Sequence, residues 1–367
     1  MPKSKHILAI PKRELLSVQT AAAMRGAFEK GMWANQIPSE RRLCEMFHVS
    51  RPTVRSALSM LAKDGLVALQ RHRRVRIGVL GRTQRAKNRK ILIVTHRPYL
   101  EWASSTYQNL SEMQGYLGKH GFECEIILCP PRRIPSQLRK LAEFIRQNGV
   151  ACTLLVTVRR ELQQWFATLP TPTLVIGSCH PSVALPSFDV DYHAVSRHAA
   201  GLFLSKGHRR LALLVPTTRG PGDVASERGF LEAVAETHKA DAASAVVIFH
   251  EGSARSVNAR LEALFRSEHP PTALLVSDPE YFLMAFVYLL RQGPHVSEKI
   301  SLIARDQDVV FTRLIPAISH YAFDIDVATR RLARLILKLI DQKHLPLEPC
   351  LILPRYIAGG TVKRFAG

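Results

Sequence analysis

Residues 37–67 of the chain read IPSERRLCEMFHVSRPTVRSALSMLAKDGLV. This stretch predicts two short helices joined by a tight turn at His48. Ser39 can cap a first helix that ends near Phe47, and Ser50 can cap a second helix that carries Pro52 in its first turn. Gly65 stands where a left-handed residue is expected after a helix end.

The second of these helices has two distinct faces. At helical periodicity Val54, Ala57, Leu58 and Leu61 share one side, which we expect to be buried. Arg51 and Arg55 lie one turn apart on an exposed side. Two arginines near a helix N-terminus suit a helix that enters the major groove of DNA, although a solvated charged face has the same pattern.

The net charge is concentrated in the first quarter of the chain. The formal charge is +21, and residues 1–90 hold 20 Lys and Arg against 5 Asp and Glu. Residues 91–367 hold 31 against 25. The positive charge therefore accompanies the predicted helical pair, as expected for a domain that binds nucleic-acid phosphates.

Composition and motifs argue against several other classes. No apolar run reaches the length of a membrane span, and the N-terminus is too short to be a signal peptide. The scattered cysteines favour reduced thiols in a cytoplasmic protein. We find no nucleophile, phosphate-binding or metal-ligand motif, so we expect no enzyme activity, cofactor or metal. Four carboxylates remain as a possible catalytic pairing or, more simply, as polar groups at strand ends: Asp189, Asp191, Asp306 and Asp308.

The pattern changes after residue 89. Apolar runs of strand length, such as 91–95, 173–177, 211–215 and 273–276, alternate with amphipathic stretches. This alternation predicts an α/β fold of two doubly wound lobes with parallel sheets. We therefore expect an N-terminal domain over 1–80, with a helix at 15–31 whose apolar positions include Leu15 and Val18. A basic linker over 81–89 and a two-lobed domain over 90–367 follow.

The segments PSERRL, FHVSRPTVRSAL and KDGLV resemble the winged helix-turn-helix of GntR-type regulators, in order and spacing. The resemblance implies binding to double-stranded operator DNA, and the residues it implies to contact DNA are Arg41, Arg51, Thr53 and Arg55. The following wing departs from the family, because it is unusually basic and has no glycine at its tip. We expect its residues Arg71, His72, Arg73 and Arg74 to contact DNA as well. If the protein is a dimer, the expected operator is an inverted repeat.

The segments GHRRLALLV, TALLVSDPEYFLMAF and EKISLIARDQD resemble the effector domain of LacI/GalR-type regulators, which is similar to periplasmic binding proteins. The resemblance implies a homodimer and two lobes joined by crossovers near 190, 310 and 324. This chain departs from the family at two positions. Ser226 stands where the family often has arginine, and Ala304 replaces a usual glycine.

The effector site is expected at the carboxyl ends of the strands. Asp306 and Asp278 each follow an apolar strand, where a carboxylate can accept two sugar hydroxyls. Arg228 and Tyr99 or Trp102 can add donors and an aromatic surface. In the alternative interpretation, Asp306 only caps a turn.

The sequence thus predicts a cytoplasmic transcriptional regulator, with repression favoured over activation, whose operator affinity depends on a small polar effector such as a sugar. The alternative is a periplasmic-type solute-binding protein without a regulatory role. It leaves the basic N-terminal domain unexplained.

Overall fold

The computed structural model describes residues 15–29, 32–33, 37–63, 67–68, 76–77, 89–98, 102, 104–130, 134–237, 242–293 and 299–365. The chain divides into two compact units, Met1–Lys87 and Asn88–Gly367. Residues 81–88 of the predicted linker lie outside the described residues.

Within its described residues, the first unit contains three helices and two short strands. Its elements are α1 (Leu16–Glu29), α2 (Glu40–Phe47), α3 (Arg51–Lys63), β1 (Val67–Ala68) and β2 (Arg76–Ile77). The two strands pair antiparallel. Apolar side chains from all three helices and from β1 form one core, which includes Met24, Leu43, Val54, Leu58 and Val67.

The helix predicted at 15–31 is present as α1, Leu16–Glu29. Its first apolar positions do not join the core: Leu15 and Val18 are exposed, whereas Ala21 and Met24 are buried.

The second unit contains two lobes, each built on a six-stranded sheet. In the first lobe all neighbouring strands pair parallel, in the order β13-β7-β6-β5-β3-β4. Its strands are β3 (Lys90–Thr95), β4 (Glu123–Leu128), β5 (Val150–Val156), β6 (Thr173–Ile176), β7 (Ser187–Val190) and β13 (Cys350–Ile352). Its helices are α4 (Ser104–Lys119), α5 (Ile134–Asn148), α6 (Arg160–Ala167) and α11 (Ile325–Gln342).

The second lobe has the strand order β14-β12-β11-β10-β8-β9, in which only the β12–β14 pair is antiparallel. Its strands are β8 (Arg210–Pro216), β9 (Ser244–His250), β10 (Ala273–Val276), β11 (Ser301–Ala304), β12 (His320–Ala322) and β14 (Arg355–Ile357). Its helices are α7 (Tyr192–Ser205), α8 (Pro221–Ala235), α9 (Ala254–Phe265) and α10 (Pro279–Arg291), with a 3-10 turn at Val309–Thr312.

Both sheets are covered on both faces, because alternate residues of one strand enter different cores. Along β3, Ile91 and Ile93 pack on one side, and Leu92 and Val94 pack on the other. This accounts for the unbroken apolar runs seen in the sequence. The predicted α/β architecture is confirmed.

The chain passes between the lobes at 190–191, 323–324 and 353–354. The predicted crossover near 310 is wrong, because β11 and β12 belong to the same sheet. The third passage lies instead between β13 and β14. These two strands have only three residues each, which is too short for a clear apolar run in the sequence.

Among the described residues, no helix has the length and hydropathy needed to cross a membrane.

Candidate functional site

The turn between α2 and α3 is built by local hydrogen bonds. The Ser39 hydroxyl accepts from the backbone N–H of Arg42, with 3.3 Å between Oγ and N. His48 ends α2 in the left-handed region at φ 51°. Ser50 Oγ lies 3.4 Å from the backbone N of Thr53 and 2.8 Å from its hydroxyl, so these two residues cap α3 together. Both predicted caps are confirmed.

Helix α3 presents its polar side to solvent. Val54, Ala57, Leu58 and Leu61 are buried, while Arg51 and Arg55 are exposed. The predicted division of this helix into two faces is confirmed. A helix whose first turns project two guanidinium groups into solvent can place them against base edges or phosphates.

The exposed arginines of this surface already have carboxylate neighbours. Arg55 Nε lies 3.0 Å from Glu40 Oε2, and Arg41 Nε lies 3.3 Å from Glu45 Oε1. Because these pairs are largely exposed, each is weak and can exchange for a phosphate at little cost. The wing residues Arg71, His72, Arg73 and Arg74 lie outside the described residues, between β1 and β2.

A cleft in the second unit is formed where the carboxyl ends of the two parallel sheets meet. Ser105 at the start of α4 donates to the carbonyl of Gln307, with 3.3 Å between Oγ and O. Arg97, which follows β3, makes a hydrogen bond with the Tyr281 side chain of the other lobe. The predicted residues Asp278 and Asp306 follow β10 and β11 and lie at this cleft.

Asp278 and Asp306 are joined directly. The backbone N of Asp278 donates to Asp306 Oδ2 at 3.1 Å. Asp278 also caps α10, because its Oδ1 accepts from the backbone N of Glu280 at 2.9 Å. The residue that caps a helix here is thus Asp278, whereas the sequence had offered capping as the alternative role of Asp306. The backbone of Asp278 is strained, at a φ of 63°. Burial raises the pKa of Asp278, and the neighbouring charge of Asp306 adds to the rise.

A buried arginine that sequence reasoning missed holds this region together. Arg305 Nη2 lies 2.9 Å from Asp306 Oδ2, and its Nη1 lies 2.8 Å from Asp223 Oδ1 and 3.1 Å from Ser226 Oγ. The guanidinium also lies over the ring of Tyr192, 4.2 Å from its centroid. Burial acts to lower the pKa of Arg305, but the carboxylates of Asp306 and Asp223 raise it by more than burial lowers it. The net pKa is above the ordinary value, so the guanidinium remains charged. These five residues are called the Arg305 cluster.

Asp189, one of the four carboxylates singled out in the sequence, lies at the end of β7, at the first passage between lobes. Its oxygens accept from the Ser178 hydroxyl and from the backbone N of Val190, the latter at 2.8 Å. Burial raises the pKa of Asp189 to about 6, although these hydrogen bonds and Arg305 act in the opposite direction. Of the two interpretations given for Asp189, this position agrees with a polar group at a strand end.

The structure does not bring all predicted effector residues together. Arg228 is exposed on α8 and pairs with Glu232 at 3.3 Å, whereas Ser226 faces Arg305. Residues that are two positions apart in a helix point in nearly opposite directions, so Arg228 points away from the side on which Ser226 meets Arg305. The assignment of Arg228 to the cleft is therefore wrong. Trp102 donates its indole N–H to the carbonyl of Arg97 at 3.2 Å and packs on the first-lobe core. Tyr99 lies outside the described residues.

Three buried polar atoms near the strand ends have no hydrogen-bond partner among the described residues: His96 Nδ1, His250 Nε2 and Gln307 Nε2. Burial lowers the pKa of both histidines to about 4. His250 Nδ1 accepts from the backbone N of Gly252 at 3.0 Å. The neutral ring therefore carries its proton on Nε2, which is a donor.

Two family models match the chain. Residues 24–77 match the model of bacterial regulatory proteins of the gntR family, and residues 200–362 match that of the periplasmic binding protein-like domain. The HTH-type transcriptional repressor NanR of Enterobacter sp. (strain 638) is 48% identical over 44 residues, which are 12% of this chain and 17% of that protein. NanR of Klebsiella aerogenes is 45% identical over 53 residues, 14% of this chain and 19% of the relative. The chain thus spans less than a fifth of these curated relatives.

Solved structures resemble the two-lobed unit. A transcriptional regulator from Yersinia pestis biovar Microtus str. 91001 has a TM-score of 0.63 at 20% identity, covering 75% of this chain and 98% of that one. A LacI-family regulator from Corynebacterium glutamicum has a TM-score of 0.61 at 15% identity, covering 75% and 99%. The regulator CelR, in a cellobiose complex, has a TM-score of 0.63 at 17% identity, covering 95% and 100%. At these identities the likeness defines the fold alone.

The chain therefore joins a gntR-type winged helix-turn-helix domain to a periplasmic binding protein-like domain with the fold of LacI-family regulators. The matched models describe regulatory and binding domains rather than enzymes.

Proposed function

We propose that this protein is a transcriptional regulator that binds operator DNA through α2, α3 and the wing, and whose affinity for DNA is set by a small polar effector in the cleft. The observation that carries the proposal is the presence, in one chain, of an exposed arginine face on α3 and a two-lobed cleft lined with polar groups. Repression is the favoured direction, because the curated relatives of the first domain are repressors.

The DNA contacts proposed are those of α2 and α3, with Arg41, Arg51, Thr53 and Arg55, and those of the basic wing. Arg51 and Arg55 lie on the solvent side of α3, one turn apart, in the position from which a guanidinium can reach guanine O6 and N7. The Thr53 hydroxyl takes part in the cap of α3 through its contact with Ser50, so it helps to position the helix. It can also contact a DNA phosphate.

The effector is held between the lobes by Asp278 and Asp306, and a sugar fits the proposal. One of the similar structures is a regulator in complex with cellobiose. A ligand that binds one degree of lobe closure more tightly shifts the protein toward that state. Coupling of about 1–3 kcal/mol between the sites changes operator affinity about 5- to 150-fold.

A homodimer completes the proposal, because two copies of the first domain read the two halves of an inverted repeat. An exposed apolar surface on the second lobe supports it. This surface, the apolar face, consists of Val287 and Leu290 on α10 and of Val309 and Ile315 at and after the 3-10 turn, and each side chain is at least half exposed. The two segments pack on one core, in which the rings of Phe282 and Phe311 are 5.2 Å apart.

The proposed DNA surface is tested by selecting genomic binding sites with the purified full-length protein and then measuring affinity by fluorescence anisotropy. Arg51→Ala and Arg55→Ala are each expected to weaken binding by about 1–3 kcal/mol, or about 5- to 150-fold, and to relax specificity at one base pair. The matched control is Arg334→Ala on α11, which removes the same charge from the other unit and should leave affinity unchanged.

Wild-type binding should also fall steeply with salt, because each neutralised phosphate releases counterions. If no selected sequence is preferred over random DNA, or if Arg334→Ala weakens binding as much as the α3 variants, the proposed DNA surface is incorrect.

A further inference from the structure

The buried guanidinium described in the cleft, that of Arg305, uses most of its N–H donors within the protein itself. Arg305 is nearly inaccessible to solvent. Its Nε and Nη2 both donate to Asp306 Oδ2, at 3.1 and 2.9 Å, and its Nη1 donates to Asp223 and Ser226. A guanidinium has five N–H donors, so four of them are used. Arg305 thus has little left to offer a ligand.

The arginine lies in the loop after β11, directly beside Asp306, and reaches across to α8. There Ser226 occupies the position where the resembling family often has an arginine, and its hydroxyl accepts from Arg305 Nη1 at 3.1 Å. From its loop, Arg305 neutralises the protein's own carboxylates.

Two carboxylate oxygens at the cleft remain able to accept a ligand's hydrogen bonds. Within the described part of the chain, Asp306 Oδ1 and Asp278 Oδ2 accept no hydrogen bond, whereas their partner oxygens do. The carboxylates near the cleft are Asp189, Asp223, Asp278 and Asp306. The described guanidinium groups near them are Arg305, Arg97 and, beside His96, Arg159, so four carboxylates stand against three guanidinium groups, and two of the four already bind Arg305.

A separate observation places a donor at the same edge. His250 at the end of β9 is completely buried, and its Nε2 is without a partner among the described residues. Its ring lies against Tyr281 of α10, with 4.1 Å between centroids, and Asp223 is close enough to raise its pKa. A buried N–H donor without an acceptor is costly, and an oxygen atom of a ligand would satisfy it.

We propose that the effector carries a protonated amine, bound by Asp278 and Asp306, and an oxygen acceptor for His250. The class is amino sugars and similar hydroxylated amines. This inference rests on the proposed function, since it names the chemistry of the same effector. An ammonium group forms charge-assisted hydrogen bonds with both carboxylates. A neutral sugar leaves the negative charge uncompensated, and a sugar acid adds to it.

The test compares probes that share a ring and differ in charge. Glucosamine, glucose and glucuronate form one series, and galactosamine, galactose and galacturonate form the second. The affinities are measured by calorimetric titration of the full-length protein at pH 7. In at least one series, the amino sugar should bind at least about tenfold more tightly than the neutral sugar, which is the effect of one hydrogen bond to a charged group. The acid of that series should bind most weakly.

The variant Asp278→Asn should remove most of this preference. Asparagine tolerates positive φ and caps helices as well as aspartate does, so the fold should persist. The matched control is Asp324→Asn, which alters the cap of α11, where Asp324 Oδ1 accepts from Val327 at 3.0 Å. This control should keep the preference.

Proton release provides a readout that needs no variant. A bound ammonium lowers the pKa of Asp189 from about 6, so binding near pH 6 should release protons. Titration in two buffers of different ionisation heat measures this release. The groups that face Asp189 are the Ser178 hydroxyl, the Val190 N–H, Arg305 and Asp306.

The inference is overturned if the neutral or acidic sugar binds as tightly as the amine in both series, or if neither amine binds at millimolar concentration. Operator binding is measured on the same preparation. If DNA is bound and a neutral sugar is preferred, only this inference fails. If no DNA is bound, the proposed function fails regardless of which sugar binds.

Discussion

Asp189 lies at the first passage between the lobes, where burial and ionisation are in conflict. Its carboxyl group is buried beside Ser178, and burial raises its pKa from an ordinary value near 3.8 to about 6. In the unfolded chain the same group ionises at lower pH. The folded state therefore binds a proton more tightly than the unfolded state does between these two values.

This difference makes a prediction about stability. The contribution of Asp189 is most favourable below pH 3.8 and is lost as pH rises through 6, with a total change of about 3 kcal/mol. Asp189→Asn keeps an oxygen acceptor and loses the charge, so we expect it to be more stable than the wild type at pH 7. The advantage should shrink toward pH 4. Denaturant unfolding of both proteins across this pH range measures it, and a constant difference would contradict the assignment.

At the level of secondary structure, the packing of α7 on α8 depends on Gly229. A Cβ atom at this position would lie 2.2 Å from the carbonyl oxygen of His193, which is backbone and cannot rotate away. The close approach of the two helices also positions Asp223 and Ser226 of α8 against Arg305. Glycine is thus required here by contact rather than by conformation.

Gly229→Ala should separate the helices and destabilise the second lobe by at least about 1–3 kcal/mol. Gly201 on α7 supplies a matched control, because a Cβ atom there meets nothing within 4 Å. Gly201→Ala should stabilise the protein by about 0.4–1 kcal/mol, since it only lowers the entropy of the unfolded chain. Thermal unfolding of the two variants should therefore shift in opposite directions, and equal shifts would contradict this account of the helix contact.

For the whole molecule, the central proposal is assembly through the apolar face. Four large apolar side chains, on two segments that pack on the same core, are each at least half exposed there. Burying such a surface against a second copy removes it from water, and the two copies then present two DNA-binding domains to one operator.

Leu290→Arg places a charge in the middle of this face and should convert the dimer to a monomer at micromolar concentration. Sedimentation velocity measures the change, and affinity for a full inverted repeat should fall to that for a half-site. Val246→Arg, on edge strand β9, is the control, because Val246 is also exposed but lies outside the apolar face. A wild-type monomer, or equal dissociation of both variants, would contradict the proposed interface.

Local features of this protein were determined by the sequence itself. The caps at Ser39 and Ser50, the buried face of α3 and the apolar strands depend on neighbouring residues or on short periodicity, so they could be predicted. The positions of Asp278 and Asp306 followed from strand ends in the same way.

Only the tertiary structure decided which side chains meet across long sequence separations. Arg305 reaches Asp223 and Ser226 over about 80 residues, and no periodicity connects them. Arg228 was misplaced because a motif gives a position along the helix, while packing against α7 decides which side of the helix faces the cleft. The third passage between lobes was missed because β13 and β14 are short edge strands, whose pairing is fixed by the sheets they join.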